Sequence, residues 1–239
     1  MKRMEFKTSL GNVWLWGATE AFENSAPVLL AISGAFAPTS AFDLLPAAVR
    51  DLAVLRASLP GNHSPLLRKQ SVEAYADAFS EVLNQIGRPA LVCGSSLGGT
   101  VALGLRSPYL RGVVALDPPL SNFAIGPLVY PFRERLAASP ENLALREFLW
   151  SIFGIDENEV EGRDYLLLLN RGTVPATVVT ADGDASRSCE SLLGPRERSA
   201  LADQARVRLV SSCAGHNVAF EDPGTVLRVI RGMTSLVAA

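Results

Sequence analysis

The sequence is poor in the residues that mark disulfide frameworks and metal sites. Its 239 residues contain only three cysteines, Cys93, Cys189 and Cys213, and two histidines. No C-x-x-C pair and no Cys/His ligand spacing occurs, although zinc sites and disulfide-rich domains depend on such patterns. We therefore expect free thiols in a reducing, cytoplasmic compartment, and no bound metal.

Positive charge and long apolar runs are also scarce. The formal net charge is −2, and lysine and arginine form no cluster. Nucleic acids and anionic membranes are bound by concentrated basic faces, so neither is an expected partner. The longest apolar stretch, residues 26–38, is interrupted by glycine and too short for a membrane span. The first seven residues are charged with no apolar run behind them, which argues against a signal peptide.

Hydrophobic residues, by contrast, make up 48% of the chain. That content and length suit one large domain, so we expect residues 1–239 to form a single domain. Apolar runs typical of strands alternate with stretches of helical spacing, which predicts an α/β fold with a doubly wound, mostly parallel sheet. The predicted strands are residues 4–10, 13–16, 27–32, 52–59, the run from 91, 113–116, 175–180 and 207–210; the predicted helices are residues 40–51, 71–86, 100–105, 143–153, 164–169, 195–204 and 225–237.

Residues 118–173 interrupt this alternation. The stretch has several prolines and no clear strand, but it contains a dense apolar helix that runs from about Leu143 to Phe153. We predict a helical cap inserted at one end of the sheet. Its apolar side chains fit both the lining of an acyl or aromatic pocket and ordinary packing of the cap on the sheet.

The stretch Gly94-Ser95-Ser96-Leu97-Gly98 follows an apolar run and precedes a predicted helix. It fits the pattern G-x-S-x-G, which between a strand and a helix holds a serine above the sheet as a nucleophile. The glycines have a steric reason, because so sharp a turn strains the serine backbone and brings the strand too near the helix for a Cβ atom. Ser96 is therefore the candidate nucleophile.

A serine nucleophile needs a base, and the chain offers only His63 and His216. His216 directly follows the last predicted strand, at the edge where a doubly wound sheet places its site. His63 lies in a loop after an earlier strand, where an exposed or hydrogen-bonded imidazole is the ordinary finding. We therefore predict that His216 is the base.

Three aspartates are candidates for the acid that orients the imidazole. Asp182 and Asp184 follow the strand that ends at Thr180, and Asp117 follows the predicted strand at residues 113–116. Each can stabilise an imidazolium from its position, while Asp-Gly-Asp is also an ordinary turn sequence. We expect one of the three to be catalytic and the other two to be structural.

Nucleotide-binding motifs are absent. No Gly-Lys-Ser/Thr follows the glycine-rich turn, which excludes a P-loop. Ser96 occupies the second glycine position of G-x-G-x-x-G, which argues against a dinucleotide fingerprint. We expect no cofactor.

Taken together, the chain resembles the α/β-hydrolase superfamily over nearly its whole length. The order serine, aspartate, histidine is the one used by that scaffold. The turn around Ser96 carries the resemblance, and Gly215-His216 is similar to the family's closing Gly-His. The resemblance implies Asp184 as the acid, at the end of a G-x-x-D turn in which Ala181 replaces glycine. Some members of the family carry the acid after the strand that follows the nucleophile turn, the elbow. Asp117 therefore stays an alternative.

The resemblance also implies an oxyanion hole built from backbone N–H groups. The donors would be Leu97, which follows the nucleophile, and Ala35, with Phe36 as a further candidate. The family commonly has His-Gly before this position, whereas the chain has Ser33-Gly34. Backbone donors need no particular side chain, so the hole is compatible with this departure.

The resemblance implies a serine hydrolase that cleaves a small-molecule carboxylic ester or thioester through an acyl-enzyme on Ser96. The same three residues can also serve an acyltransferase, a C–C bond hydrolase or a small peptidase, and the fold does not choose among them. A non-catalytic binding protein that retains the fold is the alternative of a different class, motivated by Ser33. Nothing in the sequence indicates the oligomeric state.

Overall fold

The computed structural model describes residues 1–122, 126–183 and 190–238. Within this part of the chain, one eight-stranded sheet has the order β1-β2-β4-β3-β5-β6-β7-β8. β1 and β2 are antiparallel to their neighbours, and the other strands are mutually parallel. This confirms the predicted fold class. The strands are β1 Lys2–Thr8, β2 Gly11–Gly17, β3 Val28–Ile32, β4 Ala53–Ala57, β5 Ala90–Ser95, β6 Leu110–Leu116, β7 Ala176–Ala181 and β8 Val207–Ser212.

The central strands are buried along their whole length, as their continuous apolar runs predict. Their register brings the carboxyl ends of β3, β5 and β6 to one edge of the sheet. Ile32 pairs with Gly94, and Ser95 pairs with Leu116. The segments after these three strands therefore begin side by side, which is where a doubly wound sheet places its ligands.

Helices cover both faces of the sheet. The longest, α3, begins at Ser71, whose side chain accepts a hydrogen bond from the N–H of Ala74 at 3.1 Å, and ends at Gly87 with a left-handed φ of 67°. The helices are α1 Thr19–Glu23, α2 Leu45–Ala48, α3 Val72–Ile86, α4 Leu97–Leu103, α5 Gly126–Ala137, α6 Leu143–Phe148, α7 Pro195–Ala202, α8 Val218–Glu221 and α9 Pro223–Met233.

Two predicted helices are broken in the structure. The helix expected at residues 40–51 is a 3₁₀ turn, Thr39–Phe42, followed by the single turn of α2. Pro46 explains the break, because proline fits the first turn of a helix but not its interior. The helix expected at residues 143–153 changes after α6 into a π-helical turn, Leu149–Phe153, which ends at Gly154 with a φ of 63°.

The sheet separates two apolar cores. Alternate residues of β3 and β5 point to opposite faces, so that Leu30 and Val92 join one core while Leu29 and Cys93 join the other. Cys93 is fully buried there, and burial raises the pKa of its thiol to about 12. Cys93 therefore packs as a small apolar group and is not a reactive thiol.

Between β6 and β7 the chain forms α5, α6, the π-helical turn and a 3₁₀ turn, Leu166–Asn170. Asn122 ties this segment together, since its Nδ2 donates to the carbonyl of Phe153 at 2.8 Å and its Oδ1 accepts from the N–H of Arg163 at 2.8 Å. Phe132, Phe148 and Phe153 form an aromatic cluster within it. Phe123 and Ile125, which the sequence adds to the apolar side chains of this segment, lie outside the described residues.

Candidate active site

Ser96 occupies the sharp turn between β5 and α4, and its backbone is strained. Its φ of 51° and ψ of −126° lie in a region that side-chain-bearing residues rarely adopt. The turn is held on both sides, because the N–H of Ser96 donates to the carbonyl of Leu116 at 2.8 Å and its carbonyl accepts from the N–H of Gly99 at 2.8 Å. The hydroxyl is thereby fixed at the edge where β3, β5 and β6 end.

The glycines of the motif are required by close backbone contacts. A Cβ atom on Gly94 would lie 2.1 Å from the carbonyl oxygen of Gly98, and one on Gly98 would lie 2.4 Å from that of Ile32. Neither distance is tolerable, and the atoms that would have to move belong to the backbone. The G-x-S-x-G spacing is therefore the steric condition for packing this turn against β3.

His216 reaches Ser96 from the loop after β8. Its Nε2 lies 2.9 Å from the Oγ of Ser96, and its ring is largely buried. The loop is held by Glu221 of α8, whose carboxylate accepts a hydrogen bond from the N–H of Gly215 at 2.8 Å. The two residues that the sequence proposes as nucleophile and base are thus brought within hydrogen-bonding distance.

Asp117, directly after β6, contacts the other side of the imidazole. Its Oδ2 lies 2.7 Å from Nδ1 of His216. The carboxylate is fully buried and also accepts hydrogen bonds from the N–H of Leu192 at 2.9 Å, the hydroxyl of Ser191 at 2.5 Å and the N–H of Ala181 at 3.2 Å. These donors offset the cost of burying the negative charge and hold the carboxylate in place.

Asp117, which the sequence kept as the alternative acid, makes this contact, whereas the preference for Asp184 that the resemblance implied stays a prediction. In the tautomer that leaves Nε2 able to accept the proton of Ser96, Nδ1 carries the ring proton, and the carboxylate of Asp117 lies where it accepts that proton. Asp184 itself lies outside the described residues. Asp182, the third candidate, is exposed and pairs with Arg198 at 2.8 Å and with the hydroxyl of Thr180 at 2.8 Å.

The backbone near Ser96 offers two N–H groups of the kind an oxyanion needs. Leu97 is the first residue of α4, where helical N–H groups have no partner in the helix. Gly34 lies against the nucleophile, since a Cβ atom on it would be 3.0 Å from the Cβ of Ser96. Among the described residues, none accepts a hydrogen bond from the N–H of Ala35, whereas that of Phe36 donates to Oδ1 of Asn62 at 3.1 Å.

Ser33 closes the loop in which Ala35 lies. Its side chain is buried, and its hydroxyl donates to the carbonyl of Pro38 at 3.1 Å, while its N–H donates to the carbonyl of Ala57 at 2.9 Å. The turn continues with a hydrogen bond from the N–H of Ala37 to the carbonyl of Gly34 at 3.2 Å. A serine at this position therefore supplies its own loop contacts where the family commonly has a histidine.

Asn62 is the residue of this region that sequence reasoning missed. It follows Pro60-Gly61 in the loop after β4, and it is almost fully buried although its neighbour His63 is exposed. The only signal in the sequence was its place directly after Pro60-Gly61, in the loop that also holds His63. Its contact with Phe36 joins residues 26 positions apart, which no local pattern reveals.

Other classes of site find no support in the part of the chain that the structure describes. There, no three His, Cys, Asp or Glu side chains are grouped so as to hold a metal ion. None of the helices there has the length and apolar character that crossing a membrane requires. At Ser96, an imidazole between a hydroxyl and a carboxylate can accept the hydroxyl proton.

The parallel sheet with a strained serine after β5 and a histidine after β8 defines an α/β hydrolase. In agreement, the model of the alpha/beta hydrolase family matches residues 28–229, which include Ser96, Asp117 and His216. The chain belongs to the α/β hydrolase family. No curated protein matches the chain in sequence. The family confirms the predicted enzyme class at this level.

Solved structures with similar folds include enzymes named for several ester-type substrates. Carboxylesterase CesB from Bacillus subtilis is 16% identical, with a TM-score of 0.68, 98% of this chain covered and 92% of that one. A thermophilic esterase from Thermogutta terrifontis is 18% identical, with a TM-score of 0.64 and coverages of 99% and 100%. The thioesterase domain from the curacin biosynthetic pathway is 20% identical, with a TM-score of 0.63 and coverages of 97% and 99%. At these identities the likeness is one of fold.

Proposed function

We propose that the protein is a serine hydrolase that cleaves a small-molecule carboxylic ester or thioester. The observation that carries this proposal is the series Ser96–His216–Asp117, whose two contacts measure 2.9 Å and 2.7 Å. Ser96 is the nucleophile, His216 the general base and Asp117 the acid that orients the imidazole. The esterases and the thioesterase of similar fold support the choice of substrate class.

The reaction proceeds in two halves. The Oγ of Ser96 attacks the carbonyl carbon while Nε2 of His216 takes its proton, and the imidazolium then returns that proton to the departing alcohol or thiol. An acyl-enzyme remains on Ser96. Water then gives a proton to His216 and attacks the acyl carbon, after which the proton returns to Ser96 and the carboxylic acid leaves. Asp117 stabilises the imidazolium in both halves without taking its proton.

The negative oxygen of each tetrahedral intermediate needs preorganised donors. We assign this role to the N–H groups of Leu97 and Ala35, which flank the nucleophile and lack acceptors among the described residues. Phe36 is not assigned, because Asn62 already accepts its N–H. Loss of one such donor costs about 10²–10³-fold in kcat in a well-studied protease, so the exact course of residues 34–36 matters for the rate.

Residues 118–173 are proposed to act as a cap over the site. The support is the contact of this segment with residues 33–36, which we call the oxyanion loop. The ring of Phe36 packs edge-on against Phe132, at 5.8 Å between ring centroids, and against Phe148, at 5.2 Å. Phe36 and Phe132 are half-buried, and their rings offer an apolar surface that suits an acyl chain or an aromatic group. The sequence 1–239 would then form one hydrolase domain with an inserted cap.

A substrate panel tests the proposed class. We expect the purified protein to hydrolyse p-nitrophenyl esters, acyl-CoA thioesters or both, with the ratio between the two series reporting the leaving group that the site prefers. Aminoacyl p-nitroanilides serve as the amide control. Cleavage of the anilides without any ester or thioester turnover would contradict the proposal and favour a peptidase.

The hydrogen bond from Phe36 to Asn62 yields a separate prediction. Asn62→Ala should lower kcat by up to about tenfold, because a hydrogen bond of about 1 kcal/mol no longer holds the loop that carries the Ala35 donor. KM for an uncharged ester should change little, since the contact that is lost is with the N–H of Phe36.

Steady-state kinetics on one p-nitrophenyl ester measures both constants. Asn62→Asp, which keeps an acceptor at this position, should recover part of the rate, and Asn84→Ala provides a control at a distant exposed asparagine. A rise in KM with an unchanged kcat in Asn62→Ala would show that the residue does not position the oxyanion loop.

A further inference from the structure

We propose that a polar cavity beside the site binds a carboxylate group, an inference that rests on the proposed hydrolase function. The cavity has a volume of about 290 Å³ and lies between the loop after β4, the oxyanion loop and helices α5 and α6. Its polar wall is formed by Asn62, His63, Arg135, Ser139 and Asn142. We refer to it as the Arg135 cavity.

The cavity has one permanent positive charge and no negative one. Among the described residues, Arg135 is the only lysine or arginine that lines it, and no aspartate or glutamate does so. The acidic neighbour of Arg135 in sequence, Glu134, is hydrogen-bonded to Tyr130. A single guanidinium matches a single carboxylate charge, whereas a phosphate dianion would leave one negative charge without a counter-ion.

Arg135 is held ready for such a ligand. Its guanidinium lies over the ring of Phe36, with 4.4 Å between Cζ and the ring centroid, and it has no carboxylate partner among the described residues. Stacking fixes the plane of a guanidinium and leaves the N–H groups at its edge free to form paired hydrogen bonds with a carboxylate. By contrast, Arg133 on the same helix donates to the backbone carbonyl of Asp156 at 3.0 Å.

Asn62 adds a second indication. Its Oδ1 is used by Phe36, but its Nδ2 is buried and has no hydrogen-bond partner in the described part of the chain. An amide donor that is buried without an acceptor costs about 1–3 kcal/mol. A carboxylate oxygen at this wall of the cavity would relieve that cost after a small movement of the side chain.

The cavity and Ser96 are connected through the short segment from Gly34 to Phe36. Phe36 forms part of its wall and lies two residues from Gly34, so their Cα atoms are at most about 7 Å apart. Gly34 in turn touches Ser96. The ligand we infer is therefore a dicarboxylic half ester, with its ester at Ser96 and its free carboxylate near Arg135. The same cavity can alternatively hold the carboxylate of a separate molecule.

Matched substrates test this inference. p-Nitrophenyl hydrogen glutarate and p-nitrophenyl pentanoate have acyl chains of equal length and differ in the terminal carboxylate. We expect the wild-type enzyme to have the higher kcat/KM for the half ester, and Arg135→Gln to lower the ratio of the two kcat/KM values about tenfold, the loss typical of one charged hydrogen-bonded pair. Arg133→Gln, which removes the same charge from the same helix, should leave the ratio at its wild-type value.

Added glutarate separates the two possible sources of the carboxylate. If a separate acid occupies the cavity, glutarate binds the wild-type protein in calorimetry but not Arg135→Gln, and the two esters react equally. Equal reaction of the esters together with no glutarate binding would overturn the inference. Equal effects of Arg135→Gln and Arg133→Gln on the ratio would do the same, since general surface charge would then be the cause.

These outcomes are distinct from failure of the proposed function. Turnover of the neutral pentanoate ester by the wild-type enzyme, lost in Ser96→Ala, establishes the hydrolase activity without any contribution from the cavity. Calorimetric binding of glutarate needs no turnover at all. The cavity and the catalytic proposal can thus each be rejected while the other stands.

Discussion

Ser96→Ala is expected to lower kcat/KM for every ester or thioester substrate by about 10⁴-fold or more, because removing the nucleophile of such a site leaves only the contribution of binding and of the oxyanion donors. The hydroxyl of Ser96 is the only one that contacts the imidazole of His216 among the described residues. The measurement is the initial rate on the best substrate of the panel, with background hydrolysis subtracted.

The neighbouring serine provides the matched control. Ser95 belongs to the same turn and is partly buried to a similar extent, so Ser95→Ala tests whether loss of any hydroxyl here disturbs the elbow. It should retain most of the wild-type rate. His216→Ala should be as inactive as Ser96→Ala, and the double variant should be no worse than either, since the two side chains act as one unit. Additive losses would contradict the roles assigned to them.

Asp117→Asn should have the second-largest effect, a loss of about 10³–10⁴-fold in kcat, as for the corresponding change in a serine protease triad. An amide can present its NH₂ group to Nδ1, which favours the tautomer whose proton lies on Nε2. That nitrogen then cannot take the proton of Ser96. The buried site has no other acceptor for the Nδ1 proton among the residues described.

Two further aspartates make this prediction discriminating. Asp182→Asn and Asp184→Asn should each keep most of the wild-type rate. Asp182 pairs with Arg198, and Asp117 already contacts Nδ1 of the imidazole. The melting temperature of each variant should be recorded, since Asp117→Asn also perturbs hydrogen bonds to Ser191 and Leu192. An active Asp117→Asn together with an inactive Asp184→Asn would return the role of the acid to Asp184.

The proposed nucleophile and base, Ser96 and His216, could be picked out from the sequence because each position is fixed by local rules. Backbone contacts exclude a Cβ atom at Gly94 and Gly98 and so impose the G-x-S-x-G spacing, which can be recognised directly in the sequence. His63 is the only other histidine in the chain, and His216 directly follows a clear predicted strand. The parallel sheet was predictable for the same reason, since fully buried strands read as continuous apolar runs.

The acid was not predictable, because two strands of the sheet end in aspartates on the same edge. Asp117 follows β6 and Asp182 follows β7, so both positions satisfy the rule that sites form at the carboxyl ends of strands. What separates them is the set of donors around Asp117, which comes from Ala181, Ser191 and Leu192, more than 60 residues away along the chain. No local pattern encodes those contacts.

The oxyanion loop and the Arg135 cavity were hidden for a related reason. Phe36 joins them in two ways. Its N–H donates a hydrogen bond to Asn62, and its ring stacks under the guanidinium of Arg135. Each residue is unremarkable in its own segment. The helix breaks near Pro46 and after α6 were likewise set by competition between local backbone rules and packing, which periodicity alone does not resolve.

Labelling with a fluorophosphonate tests the central proposal most directly, since this probe reacts with serines activated by a neighbouring base. Mass spectrometry of the folded, labelled protein should place the adduct on Ser96, in a stoichiometry approaching one per chain. Heat-denatured protein, Ser96→Ala and His216→Ala should remain unlabelled. A folded wild-type protein that takes up no probe at Ser96, or an adduct that persists in His216→Ala, would contradict the account and favour a binding protein that retains the hydrolase fold.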